Sequence, residues 1–225
     1  MATISRRQRE KLQRRNDILN AAERKFFAKD YDDVSMDEIA RELELSKPTL
    51  YLYFRNKESL FFAVVLRGIA VMRDAFENAV ESSQTGIEKI RSLCRAIFDF
   101  MLKYRDYYRL NVVARGQRFW NAFSNGEVEA ADTYVNYVTE LFNLIKESVD
   151  AGIDDGTLRG DLDPMQAAMF LSAAIETTVL LAPYNELLLN QTGLKLEDYQ
   201  QQAMEILLRG IVGNSEYQTK VVQKK

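Results

Sequence analysis

Histidine is absent from the 225-residue chain, and cysteine occurs once, at Cys94. The first absence removes Ser-His-Asp and Cys-His nucleophilic machinery and the commonest zinc ligand sets. The second leaves no intramolecular disulfide and no cysteine cluster for a metal, so Cys94 reads as a small buried apolar side chain. Proline is scarce at 3 residues, and glycine numbers 10. With so few breakers between long amphipathic runs, helices are favoured over many short strands. No run of about 18 apolar residues occurs, so no membrane span is expected. The N-terminal stretch is basic and polar with no apolar segment behind it, so no signal peptide is expected and the default address is the cytoplasm. No nucleotide or phosphate loop stands out, and no cofactor or metal is expected.

What remains is ordinary in amount and uneven in distribution. Apolar residues make up 47% of the chain, enough for a sizeable core, and charged residues 28%. The net charge is −3, which by itself argues against a nucleic-acid partner. Within residues 1–15, however, Arg6, Arg7, Arg9, Lys11, Arg14 and Arg15 face Glu10 alone. A basic arm on an acidic body suits local contact with phosphates, and a solvated tail is the plain alternative.

Periodicity and capping signals divide the chain into helices. Ile18, Leu19, Ala22, Phe26 and Phe27 fall on one face of a helix from about Glu10 to Lys29, broken by Asp30-Tyr31-Asp32-Asp33. Ser35 with Glu38 predicts a capping box, and Val34 with Ile39 a hydrophobic staple, opening a short helix that ends near Glu44. Ser46 caps a third helix with Pro48 in its first turn, Leu50 and Phe54 facing inward. Asn56 caps a fourth, reaching about Ser82, whose first turn carries Lys57. A cation there opposes the helix dipole and makes more sense if an anion docks beside it. Thr85 and Glu88 form another predicted capping box, opening a helix through Met101. A region rich in aromatics follows, then a helix from about Glu127 to Ala151, a glycine-marked loop, and an Asp163-Pro164 cap. The helix to about Ala182 is rich in small residues, a last helix spans about Glu197 to Val212, and a polar tail begins at Asn214.

The stretch from Val34 to Leu60, VSMDEIARELELSKPTLYLYFRNKESL, resembles the helix-turn-helix of the TetR (tetracycline-repressor) family. A weaker likeness lies in AGIDDGTLRGDLDPMQAA, residues 151–168, which is similar to the loop and cap leading into that family's penultimate helix. The chain departs from the pattern at Asp30 and Glu44, where the family often has glycine. The resemblance implies an all-α fold: a helix-turn-helix DNA-binding domain over 1–56, a larger helical effector-binding and dimerisation domain over 57–213, and a tail over 214–225. Independently of it, a short capped helix, a tight turn and a second short helix with a polar face form a pattern that a major groove accepts.

By position, the resemblance places Lys47, Pro48, Thr49 and Tyr51 on the groove-facing side of the recognition helix, with Ser46 at its cap. It brings Tyr53 to the DNA, Lys57 to a phosphate, and Ser35 to a second phosphate. Leu52 lies where an apolar side chain can meet a thymine methyl. Tyr104, Tyr108, Phe119, Trp120, Phe123 and Tyr137, with Glu176 and Thr177 as polar members, are candidates for an effector pocket. Small and apolar residues of the last two helices, Ala167, Leu171, Ala174, Ala203 and Leu207, are candidates for a homodimer interface of the four-helix kind.

The leading function is therefore a transcriptional regulator, a repressor released from a palindromic operator in double-stranded DNA by a small, largely apolar ligand. One rival is a DNA-binding protein with no effector. Another is a helical enzyme using carboxylates such as Asp99, Glu140 and Glu176 as acid and base. Loss of operator binding on adding ligand separates the first two, and turnover separates the third.

Overall fold

The computed structural model describes residues 5–124, 126, 130–180 and 189–213, the side chains of 120–122, 124, 179 and 180 excepted. The chain is all-α. Its helices are α1 (Arg6–Ala28), α2 (Met36–Glu42), α3 (Lys47–Tyr51), α4 (Lys57–Glu81), α5 (Gly86–Lys103), α6 (Arg105–Ala114), α7 (Gln117–Ser124), α8 (Ala131–Asp154), α9 (Pro164–Leu180) and, last in sequence, α10 (Leu196–Ile211). A 3-10 turn, Tyr31–Asp33, joins α1 to α2.

Most helix starts sit where the capping residues place them. Ser46 Oγ accepts the Thr49 amide at 3.3 Å, Asn56 Oδ1 the Ser59 amide at 2.8 Å, and Asp163 Oδ1 the Gln166 amide at 2.8 Å. Thr85 and Glu88 make the reciprocal pair, Thr85 N donating to Glu88 Oε2 at 3.0 Å and Glu88 N to Thr85 Oγ1 at 3.4 Å. Two starts differ from expectation. The first helix begins four residues before Glu10, because Ser5 and Gln8 form a capping box at its head. At α2 only half of the expected box forms: Ser35 Oγ accepts from Glu38 N at 3.2 Å, while the Glu38 carboxylate turns to Lys25 on α1 and Lys29 at its C-cap. A pair of ammonium groups holds that carboxylate more strongly than a lone amide would. The expected turn at Ser124-Asn125-Gly126, the helix start at Glu127, the helix end near Ala182 and the tail over 214–225 fall wholly or partly outside the described residues.

The chain folds as two compact units, residues 1–71 with 104–137 and residues 72–103 with 138–225. The boundary expected after residue 56 falls inside the first of these. In the first unit the helix-turn-helix core of Ile18, Leu19, Ala22, Phe26, Ile39, Leu50 and Phe54 is fully buried or nearly so. It continues into an aromatic column. Phe26 and Tyr31 pack on Phe61, Phe61 on Phe62 and Phe119, and Phe62 on Phe123 and Tyr134, with ring centroids 4.7–5.5 Å apart.

The second unit is built on α5, α9 and α10, whose core joins Ile90, Cys94, Leu171, Ile175, Met204, Leu208 and Ile211 with Val149 of α8. Cys94 is buried as expected, and burial pushes its thiol up to about 12. The loop after α8 serves two helices. Asp155 Oδ2 accepts the Gly86 amide at 2.7 Å and Thr157 Oγ1 the Ile87 amide at 3.2 Å, so this loop caps α5 as well as leading into α9. A Cβ on Gly86 would lie 2.0 Å from the Gly152 nitrogen, so only glycine lets α5 begin there against α8.

Candidate DNA-binding interface

The helix-turn-helix is held in shape by ionic contacts that leave the outer face of α3 open. Glu42 pairs with Arg24 at 2.7 Å and with Lys25 at 2.8 Å, and Glu38 with Lys29 at 2.8 Å. These cations hold both carboxyl groups below the usual glutamate range. The network joins α1 to α2 across their exposed edge. Between α2 and α3 the chain turns in a Schellman motif: Leu45 N donates to Ala40 O at 2.9 Å and Glu44 N to Arg41 O at 3.2 Å. Glu44 adopts φ +54°, a left-handed conformation that ordinarily selects glycine.

On α3 the inward and outward sides separate as the sequence predicts. Leu50 and Phe54 are buried, and the Arg15 guanidinium lies over the Phe54 ring at 4.6 Å. Ser46, Lys47, Pro48 and Tyr51 are exposed, with Thr49 and Tyr53 half-buried. Leu52 is 79% exposed, a leucine left in water at the tip of a short helix. Lys47 pairs with Asp37 of α2 at 2.8 Å, which raises its ammonium above the ordinary lysine range. Ser35 is exposed at the head of α2. Lys57 is not a free surface cation. Its Nζ lies 4.2 Å from the Tyr31 ring centroid and donates to the Asp32 carbonyl at 3.3 Å. Burial there pulls its pKa down, and Arg118 adds a smaller push in the same direction.

Contacts from outside the motif hold α1, and nothing in the sequence pattern announces them. Arg109 of α6 donates to the Phe26 and Phe27 carbonyls at 2.7 and 3.0 Å, satisfying two of the last acceptors of α1 with a cation. Tyr107 donates to Glu23 at 2.6 Å, and Arg118 of α7 pairs with Asp32. These partners lie 82–86 residues apart in sequence.

Of the expected pocket residues, Tyr104, Tyr108, Phe119, Trp120, Phe123 and Tyr137 belong to the first unit, and Glu176 and Thr177 to the second. Phe119 is 2% exposed and packs on Tyr31, Phe61 and Phe62. Phe123 packs on Phe62 and stacks on Tyr134. Tyr108 is buried, and Tyr104 packs on Tyr107. Tyr137 lines an open cleft of about 450 Å³ with Arg15, Leu19, Leu66 and Arg67. Glu176 is half-buried and Thr177 exposed, both in the second unit, and the Trp120 side chain is outside the described set.

The expected interface residues divide between the inward stripe and half-buried positions of α9 and α10. Leu171 lies in the core of the second unit, with Ala167 and Leu207 packed against it, because these positions share the inward stripe of α9 and α10. Ala174 and Ala203 are half-buried. The outward apolar side chains of the same helices are Met165, Met169, Phe170 and Ile206, the last two 61% and 62% exposed.

Residues 18–64, which hold these helix-turn-helix elements, match the model of the bacterial regulatory proteins of the tetR family. Over these residues the chain is similar to the DNA-binding region of the TetR family. The HTH-type transcriptional activator FasR of Mycolicibacterium smegmatis is 33% identical over 98 residues, covering 44% of this chain and 45% of that protein. The chain thus aligns with less than half the length of that relative. Among solved structures, FadR of Bacillus subtilis in complex with stearoyl-CoA superposes with a TM-score of 0.66 at 19% identity, over 87% of this chain and 98% of that one. A putative regulator of Saccharomonospora viridis in complex with choline superposes with a TM-score of 0.67 at 20% identity, over 90% and 99%. At such identities the likeness shows the fold alone, and these two structures hold ligands as unlike as an acyl thioester and a small quaternary ammonium. No described helix is long and apolar enough to cross a membrane, and the described residues hold no cluster of acidic, cysteine or histidine side chains able to bind a metal ion.

Proposed function

We propose that this chain is a cytoplasmic repressor of the TetR family that binds a palindromic operator in double-stranded DNA as a homodimer. A small, largely apolar ligand releases it. The observation that carries the DNA-binding part is the outer face of α3. Lys47, Pro48, Tyr51 and Leu52 stand exposed on a helix whose other face, Leu50, is locked into the core. A helix fixed from behind and bare in front is what groove readout requires. Ser35 and Lys57 would meet phosphates at the heads of α2 and α4, and Tyr53 and Thr49 would flank the base edges.

The dimer is supported by outward Met165, Met169, Phe170 and Ile206, an apolar face that a second copy would cover. The effector reading is supported by the stearoyl-CoA of the Bacillus subtilis FadR structure, which makes long-chain acyl compounds the first class to screen. Its coupling to DNA would need a differential affinity of about 1–3 kcal/mol, roughly 5- to 150-fold. The chain would carry out no chemistry of its own.

The test compares two changes. Removing Arg6 to Lys11 should weaken binding to every duplex and lower the slope of log affinity against log salt, by about one unit per lost phosphate contact. Thr49→Ala should instead change which base is preferred near one half-site. Identical behaviour of the two variants on all duplexes would sink the assignment of α3 as the reading helix.

A further inference from the structure

We propose that Arg118, on α7, is a positioning residue for the phosphate contact at Lys57, acting by occupying the carboxylate that would otherwise compete for that lysine. The inference rests on the reading of Lys57 as a DNA-backbone contact. Tyr31 and Asp32, in the turn between α1 and α2, are shared by both cations. Lys57 Nζ lies over the Tyr31 ring at 4.2 Å, and the Arg118 guanidinium lies over the same ring at 4.7 Å. Lys57 takes the backbone carbonyl of Asp32 at 3.3 Å, whereas Arg118 takes its carboxylate. The turn is itself pinned, because Tyr31 Oη donates to Glu58 at 2.7 Å and its ring meets Phe119, the neighbour of Arg118, at 5.2 Å.

The division of labour has an electrostatic consequence. A lysine that must grip a phosphate needs its charge uncommitted, and the acidic turn Asp32-Asp33 is the obvious competitor. The Asp32 carboxylate is 73% exposed, so with Arg118 removed nothing in the turn keeps it from Lys57. A carboxylate held on Lys57 would both neutralise it and repel the incoming phosphate. Arg118 prevents this by holding the Asp32 side chain with a planar donor that also stacks on Tyr31, a geometry suited to guanidinium.

The experiment uses the full chain and a duplex that the unaltered chain has selected from a random-sequence pool. Arg118→Ala should lower affinity roughly 3- to 10-fold and reduce the salt slope by about one unit. Adding Asp32→Asn to Arg118→Ala should restore affinity to within about twofold of the unaltered chain, because the competitor is gone. In a Lys57→Ala background Arg118→Ala should add nothing. Arg118→Lys, which keeps the ion pair, serves as the conservative control and should bind near normally, with thermal melting recorded for every variant. Three results would each overturn the proposal: affinity unchanged in a folded Arg118→Ala, no recovery with Asp32→Asn, or effects of the Arg118 and Lys57 changes that multiply. If the unaltered chain selects no duplex at all, the DNA-binding reading fails first, and the inference falls with it.

Discussion

Glu44 shows how a single residue records a conflict between residue type and local geometry. The turn of the helix-turn-helix needs a left-handed residue, and the chain supplies glutamate at φ +54°. The Schellman hydrogen bonds from Leu45 and Glu44 nevertheless form, so tertiary packing overrides the local preference. The left-handed region costs a β-carbon-bearing residue about 1–2 kcal/mol, partly offset because glycine is the more disordered of the two when unfolded. Glu44→Gly is therefore expected to stabilise the protein by about 0.5–1 kcal/mol. Denaturant titration followed by circular dichroism checks this, and a loss of stability would show that the Glu44 side chain makes a compensating contact.

At the scale of elements, the loop between α8 and α9 carries more than a turn. Asp155 and Thr157 close the head of α5, and Gly86 meets the backbone of Gly152. Gly86→Ala is expected to destabilise by about 1–3 kcal/mol or more, since backbone must move to admit the methyl group. Thermal melting reads this directly, and a variant as stable as the parent would mean that α5 can start elsewhere. The same loop shows what could be read from the sequence. Asp163-Pro164, Thr85 with Glu88, and Ser46 with Thr49 act within one helical turn, so residue order alone locates them. The service of Asp155 to Gly86 spans 69 residues and leaves no periodic trace. Likewise the exposed side of α3 was legible, because Leu50 and Phe54 fix its inner side, whereas Arg109 and Arg118 reaching α1 and its turn were not. The aromatics from Tyr104 to Tyr137 suggested a pocket by composition, and of these Phe119 and Phe123 pack in the column on Phe61 and Phe62. Aromatic density marks burial before it marks a ligand.

For the whole molecule, the proposed sequence-specific binding calls for two copies, since one recognition helix spans too few base pairs for specificity. The sequence pointed to α9 and α10 through their small residues, yet the inward stripe of those helices holds Leu171 and Leu207 against the core of their own unit. Outward Phe170 and Ile206 are the better targets. If the proposed dimer forms through this face, Phe170→Glu with Ile206→Glu should leave a monomer at micromolar concentration and helical content unchanged, because neither side chain supports the core. Sedimentation velocity would decide it, and a variant that still sediments as a dimer would place the interface elsewhere.

The most direct test of sequence-specific recognition through α3 is selection of duplexes from a random pool by the unaltered full-length chain. The expected result is an enriched palindrome whose half-sites are centred about one helical turn, roughly 10 base pairs, or a multiple of it apart. Enrichment should disappear when Thr49 and Tyr51 are both changed to alanine. Recovery of a pool with no shared motif, or of the same motif with the altered chain, would contradict it.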